Sequence, residues 1–232
     1  MNWPDDYIGK VIHGDCIDVV QGIPDGAIDA IITDPVWPNC KPQLAGSEDP
    51  YGLLARSAAD WPRLTKRVIV ILGCDSDPRI LTAIPSSLPF VRLCWLERVP
   101  PTYKGPILYS ADIAYVFGQR HLNPGTRLLP GKYRCSDSQV TAVSQSWKLT
   151  KANDHPTPRN PLHMAWLIEK FTRPGQLILD PFCGGGTTLA AATRSGRRSI
   201  GIEIDPLYIA KAQSLQNDAD SLFHIVEYGI QK

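Results

Sequence analysis

The sequence predicts an α/β fold built on a mostly parallel sheet, and three observations carry that prediction. Short apolar runs alternate with longer helix-like stretches, as they do where crossover helices join parallel strands. The run Val68-Ile69-Val70-Ile71-Leu72 is apolar at every position, which suits a strand covered on both faces. Residues 177–205, LILDPFCGGGTTLAAATRSGRRSIGIEID, read strand, glycine loop, helix, strand, acid. That is the local order of a ligand-binding βαβ unit.

The elements follow in order. Val11-Ile12-His13 reads as a strand, and Cys16 to Gln21 as a helix. Pro24-Asp25-Gly26 is a turn, and Ala27 to Thr33 a buried strand. Residues 51–66 read as a helix broken near Pro62, where the ring removes a backbone donor. Val68 to Leu72 is a central strand, and residues 78–84 a short helix. Phe90 to Leu96 and Ile113 to Phe117 are two more strands. Residues 119–154, rich in Gly, Pro, Ser and basic side chains, carry no period. A helix over 161–172, a strand over Gln176 to Leu179 and a helix over Thr187 to Arg194 come next. Ser199 to Ile202 is a strand, and a last helix starts at Pro206, with proline in its first turn.

The chain has 232 residues, 43% of them hydrophobic, enough for one large domain spanning residues 1–232. Net charge is +1, so no global field draws the protein to polyanions. Locally the balance differs. Residues 1–50 hold two Lys/Arg against nine Asp/Glu, and residues 120–173 hold nine against three. The basic middle reads either as a polyanion footprint or as a solvated loop. The six cysteines include no C-x-x-C pair, the start MNWPDDYIGK is unlike a signal peptide, and no apolar run reaches membrane length. A reducing, cytoplasmic setting with free thiols is expected, with no membrane partner.

The glycine loop narrows the ligand. It lacks the G-x-G-x-x-G spacing, and no lysine follows it as in a P-loop. Asp180 stands just before the glycines, where it repels phosphate and suits a cation. Glu203 ends the next strand, where an acid reaches ribose hydroxyls. A nucleoside bearing a positive group fits, and S-adenosyl-L-methionine is the common ligand of that description. A ligand-free strand-to-helix turn is the alternative.

The stretch IITDPVWPN, residues 31–39, raises a second question. A buried strand ends and at once presents a carboxylate, a rigid turn and a tryptophan. Alone, Asp34 reads equally as a turn acid or a helix N-cap. Trp37 lies between Pro35 and Pro38, which argues for a loop, and a core position is the competing reading.

Four motifs together resemble one family. Asp180-Pro181-Phe182-Cys183-Gly184-Gly185-Gly186-Thr187-Thr188 resembles DPFxGxGTT, the cofactor motif of amino DNA methyltransferases. Thr33-Asp34-Pro35-Val36-Trp37 resembles their catalytic DPPY motif. His155-Pro156-Thr157-Pro158-Arg159 resembles HPTxKP, and His13-Gly14-Asp15 the short GD motif. The catalytic motif precedes the cofactor motif, which is the circularly permuted, β arrangement of the family. The sequence departs from the pattern at Val36, at Trp37, at Arg159 in place of lysine, and at the extra Asn160 before Pro161.

The resemblance implies a Rossmann-like methyltransferase fold and methyl transfer to an exocyclic amino nitrogen of a base in double-stranded DNA. Asp34 and the Pro35 carbonyl would accept the amino hydrogens, Val36 would complete the turn, and Trp37 would stack on a flipped base. The implied cofactor residues are Asp15, Thr157, Asp180, Phe182, Cys183, Gly184, Gly186, Thr187 and Glu203. Asp15 would lie near the adenine amino edge, Phe182 would flank the adenine, Asp180 would meet the methionine amine and Thr157 its carboxylate. Cys40 lacks the Pro-Cys pair of enzymes that methylate cytosine carbon 5, and reads as incidental.

Larger relatives carry a target-recognition domain where this chain has only residues 119–154. Arg120, Arg127, Lys132, Arg134, Trp147 and Lys148 are the expected DNA contacts, phosphate-binding cations interleaved with aromatics. Specificity is expected to be short or loose unless a second subunit, in a homodimer, contributes. Asp34 favours adenine N6 over cytosine N4, where serine is commoner at that position. An RNA substrate and a non-catalytic relative remain open on the same motifs.

Overall fold

A computed structural model describes residues 3–40, 44–119, 132–133 and 159–219. They form one eight-stranded sheet. In chain order the strands are β1 (Lys10–His13), β2 (Ala30–Thr33), β3 (Arg67–Gly73), β4 (Phe90–Lys104), β5 (Ile107–Gly118), β6 (Lys132–Tyr133), β7 (Leu177–Asp180) and β8 (Arg198–Glu203). The helices are α1 (Cys16–Gln21), α2 (Pro50–Ala58), α3 (Trp61–Leu64), α4 (Pro161–Phe171), α5 (Thr187–Arg194) and α6 (Pro206–Asn217), with a 3-10 turn at Pro78–Ala83.

The order across the sheet is β1-β8-β7-β2-β3-β5-β4-β6. The first five are parallel to one another. β5 runs antiparallel to both β3 and β4, and β6 is parallel to β4. The expected mostly parallel sheet is present.

Alternate strand residues feed two cores. Val68, Val70 and Leu72 face a core shared with α1, α2 and α3. Ile69 and Ile71 face the opposite core, against α4 and α5. All five are at most 1% exposed, and full burial of each such side chain contributes about 1.5–3 kcal/mol. That two-sided burial explains the absence of polar alternation in β3.

The structure departs from the sequence reading at the β4–β5 hairpin. The strands extend to Lys104 and start again at Ile107, well past the expected limits at Leu96 and Ile113. Pro100-Pro101 lie within the extension. They fall where the ladder shifts register, between Glu97 and Thr102, so the missing N–H groups interrupt no paired stretch. Gly105, at φ 59°, supplies the turn.

Local caps set the helices beside the site. Asp15 caps α1 by accepting from Ile17 N at 2.8 Å. Asn160, the residue that departs from the HPTxKP pattern, caps α4 through Leu162 N at 2.9 Å, with Pro161 in the first turn.

Candidate active site

The strand order reverses between β7 and β2. From β7 the chain continues outward to β8, and from β2 it continues to β3 on the other side. The carboxyl ends of these neighbours therefore open a crevice, the place where open α/β sheets bind ligands. The glycine loop leaves β7 there and Asp34 leaves β2. Thr33 Oγ1 donates to Asp180 Oδ1 at 2.7 Å and ties the two strand ends together.

Asp180 is 1% exposed. Its Oδ1 also accepts from Phe182 N at 3.1 Å, and Thr188 donates to the same carboxylate. Burial outweighs these donors and pushes its pKa up to about 6. Glu203, half-buried, accepts from Gly184 N at 2.8 Å through Oε2 and from Asp205 N at 2.9 Å through Oε1. Burial raises its pKa as well. Cys183 is buried, and its thiol is pushed well above the usual range by burial first, then by the fields of Asp180 and Glu203. The loop is thus acidic.

Gly184 and Gly186 have φ of 49° and 83°, the left-handed region that favours glycine. A Cβ on Gly186 would lie 2.7 Å from Ala212 Cα of α6, so this glycine also lets helix and loop meet. Thr187 begins α5 and is 9% exposed. Phe182 is half-buried and packs on the core side of α1–α3. Asp15 stands near the carboxyl end of β1, beside Glu203, since Gly14 N donates to Glu203 O at 3.1 Å. Ile204 and Leu207, 48% and 71% exposed, follow Glu203 directly. The sequence reading passed over both, although apolar residues just after the acid that ends a strand are a usable signal.

The DPVW turn is a loop, as expected, but its tryptophan is not exposed. Trp37 is 8% exposed and belongs to the core against α1–α3. Its Nε1 donates to Asp34 Oδ1 at 2.8 Å and to Ile71 O at 3.2 Å. The Arg159 guanidinium lies 4.1 Å from the centroid of its ring. The competing core reading thus describes Trp37 in this structure, because a buried N–H has two acceptors waiting for it. Pro35 is buried and Val36 half-buried. Asn39 fixes the end of the loop, accepting from Ser76 Oγ at 2.7 Å.

Asp34 Oδ2 accepts from Arg159 Nε. Burial is the leading influence on Asp34 and lifts its pKa to about 6; Arg159 opposes the shift and Asp112 adds to it. Asp112, on β5, is 3% exposed and lies 3.5 Å from Arg159 Nη1. The sequence reading placed neither Arg159 nor Asp112 in the site. An acid between Ala111 and Ile113 was the available signal, but the strand was expected to start one residue later.

Lys132 is on β6, beside Trp95 of β4. Thr157, Arg120, Arg127, Arg134, Trp147 and Lys148 lie outside the described residues. Among the described residues, no helix is long and apolar enough to cross a membrane.

Comparison with known proteins shows the family and the fold. The N6/N4 DNA methylase family matches residues 87–214. YubD of Escherichia coli (strain K12), which carries the name "putative methylase", is 30% identical over 215 residues, covering 85% of this chain and 85% of YubD. The solved PvuII DNA methyltransferase, which is cytosine-N4-specific, superposes with a TM-score of 0.64 at 16% identity, covering 94% of this chain and 92% of that one. The M1.HpyAVI–SAM complex superposes with a TM-score of 0.63 at 21% identity, covering 90% and 98%. At these identities the two structures show a shared fold.

Proposed function

The chain belongs to the N6/N4 DNA methylase family, the amino DNA methyltransferases, and from that membership we propose that it methylates the N6 amino group of adenine in double-stranded DNA, with S-adenosyl-L-methionine as donor. The observation that carries the reading is the Thr33–Asp180 hydrogen bond, which joins the DPVW turn and the glycine loop in one crevice. Asp34 is the support for adenine; cytosine N4 is the second reading.

The residues fit the cofactor. Asp180, Glu203 and Asp34 make an acidic crevice, suited to a ligand with an amine and a sulfonium and hostile to a pyrophosphate. Glu203 keeps acceptor capacity beyond its backbone donors, Gly184, Asp205 and Ile204, and would hold the ribose hydroxyls. Phe182 and Ile204 are the apolar surfaces for the adenine, with Asp15 near its amino edge. Asp180 would face the methionine amine and Thr157 the carboxylate. When bound, the cofactor supplies a methyl group already activated on sulfur.

The chain's own task is positioning and electrostatics. An exocyclic amine is a weak nucleophile because its lone pair is delocalised into the ring. Asp34 would accept one amino hydrogen and the Pro35 carbonyl the other, which favours a localised lone pair facing the cofactor. Pro35 fixes its own φ and holds that carbonyl still. The methylated nitrogen sheds a proton, and Asp34, with a pKa of about 6, is basic enough to receive it and pass it to water. The basic residues of 119–154 are the proposed phosphate contacts, on the support of their charge.

One pH dependence follows. A cation beside Asp180 favours its ionised form. Cofactor affinity should therefore be level above pH 7 and fall below pH 6, by up to about tenfold per unit for one linked proton. Calorimetric titration from pH 5 to 8 checks this, and a flat profile would mean that Asp180 does not face the cation.

The function is tested with methyl-labelled cofactor offered duplex DNA and RNA in parallel. Label is expected in the DNA. Label in RNA alone would replace this reading with an RNA-directed one.

A further inference from the structure

Arg159 already engages Asp34, the acceptor proposed for the target base. Its Nε donates to Asp34, and its guanidinium lies over Trp37 at 4.1 Å from the ring centroid. A guanidinium is flat, carries in-plane N–H donors and stacks on aromatic faces. A flipped base with an exocyclic amine has the same attributes. Two of the contacts expected of the base, the Asp34 acceptor and the Trp37 face, are taken.

The base therefore has to displace Arg159, and the surroundings limit where it goes. The side chains of Arg159, Asp34 and Asp112 are 10%, 17% and 4% exposed. If the guanidinium left altogether, two carboxylates would stay behind in a poorly solvated site without it, a costly state. Asp112 Oδ2, 3.5 Å from Arg159 Nη1, offers a shorter move.

Resting on the function proposed above, we infer that Arg159 is a stand-in for the target base, and that Asp112 is the positioning residue that retains it when the base claims Asp34. Asp112 itself touches neither base nor cofactor. The arrangement keeps the acceptor carboxylate paired and the tryptophan face covered until a base arrives. It also sets a threshold, because a base must compete with a charged, stacked group. Apparent affinity falls by the fraction of molecules in which Arg159 has moved.

Paired substitutions give the test. Asp112→Asn leaves Arg159 with Asp34 as its stronger partner, so kcat/KM on DNA should fall by about tenfold or more, with KM carrying most of it. Arg159→Gln removes the competitor, so KM for DNA, measured at about pH 8.5 where Asp34 stays ionised without the cation, should fall below that of the unmutated protein. The acid limb of its pH profile should move upward, since Asp34 loses a neighbouring cation. The double variant Asp112→Asn/Arg159→Gln should recover most of the activity lost in Asp112→Asn.

All variants are assayed with labelled cofactor on mixed-sequence duplex DNA, and cofactor titration reports whether each is folded. A double variant no better than Asp112→Asn would mean that the pair only braces the site, and would overturn the inference. If Asp112→Asn fails to bind cofactor, Arg159→Gln decides alone: a lower KM supports the stand-in, and an unchanged or raised KM refutes it. Failure of the unmutated protein to label DNA would overturn both function and inference, whereas an active protein with an unrescued double variant overturns the inference only.

Discussion

Asp34→Ala is expected to reduce methyl transfer by about 30- to 1,000-fold while cofactor affinity stays within a few-fold. Removing one preorganised group that acts on the reacting centre costs about 2–4 kcal/mol, and each 1.36 kcal/mol is tenfold in rate. The split between activity and binding follows from geometry. Asp34 addresses the turn directly, through Trp37 Nε1 and Arg159, and reaches the glycine loop through its neighbour Thr33 and through its field on Asp180. The fold should persist, because Trp37 Nε1 keeps the Ile71 carbonyl at 3.2 Å and Arg159 keeps Asp112. Asp34→Asn provides the control for shape: it keeps one acceptor oxygen for Trp37 Nε1, while it loses the charge and the second acceptor that Arg159 uses. Rates with labelled cofactor and calorimetric affinities on the same samples check the split. Near-normal turnover in either variant would remove Asp34 from the chemistry.

Glu203→Ala is expected to give the largest loss in cofactor binding. Hydrogen bonds to a charged group contribute about 1.5–3 kcal/mol each, so losing those to a ribose should weaken affinity by roughly one to two powers of ten or more. A second effect adds to the first. Glu203 holds Gly184 N and Asp205 N, so its removal loosens the glycine loop as well as the ribose site. Glu203→Gln keeps one acceptor oxygen and should lose less. Calorimetric titration of both against the unmutated protein separates the contributions, and an unchanged affinity in Glu203→Ala would move the ribose elsewhere. Asp180 needs gentler treatment than alanine. It is buried and accepts from Thr33, Phe182 and Thr188, so Asp180→Ala would strand buried donors at about 1–3 kcal/mol apiece. Asp180→Asn is the variant that tests its charge.

What the sequence made legible was local. The glycine loop, its flanking strands and Glu203 are close in the chain and follow simple periods, so strand, turn and helix could be read in order. The motif turn at Asp34 was legible as a turn for the same reason. The environment of Trp37 was not. Its burial depends on Ile71, on the core against α1–α3 and on Arg159, which is far away in sequence. Asp112 was hidden because a buried acid in a strand reads as a strand boundary until its partner is known. The hairpin extension was not read, and prolines such as Pro100-Pro101 argue against a strand unless they sit where the ladder is already interrupted. Asn160 looked like a departure from a motif, and its capping of α4 became visible only with the helix start in view.

The central claim is methyl transfer to an exocyclic amino nitrogen of a DNA base. It is tested most directly by digesting duplex DNA after incubation with deuterium-methyl-labelled cofactor and identifying the modified nucleosides by mass spectrometry. The account predicts labelled N6-methyldeoxyadenosine, formed at least about 30-fold more slowly with Asp34→Ala. Label on carbon 5 of deoxycytidine, or no labelled nucleoside from a protein that binds both cofactor and DNA, would contradict it.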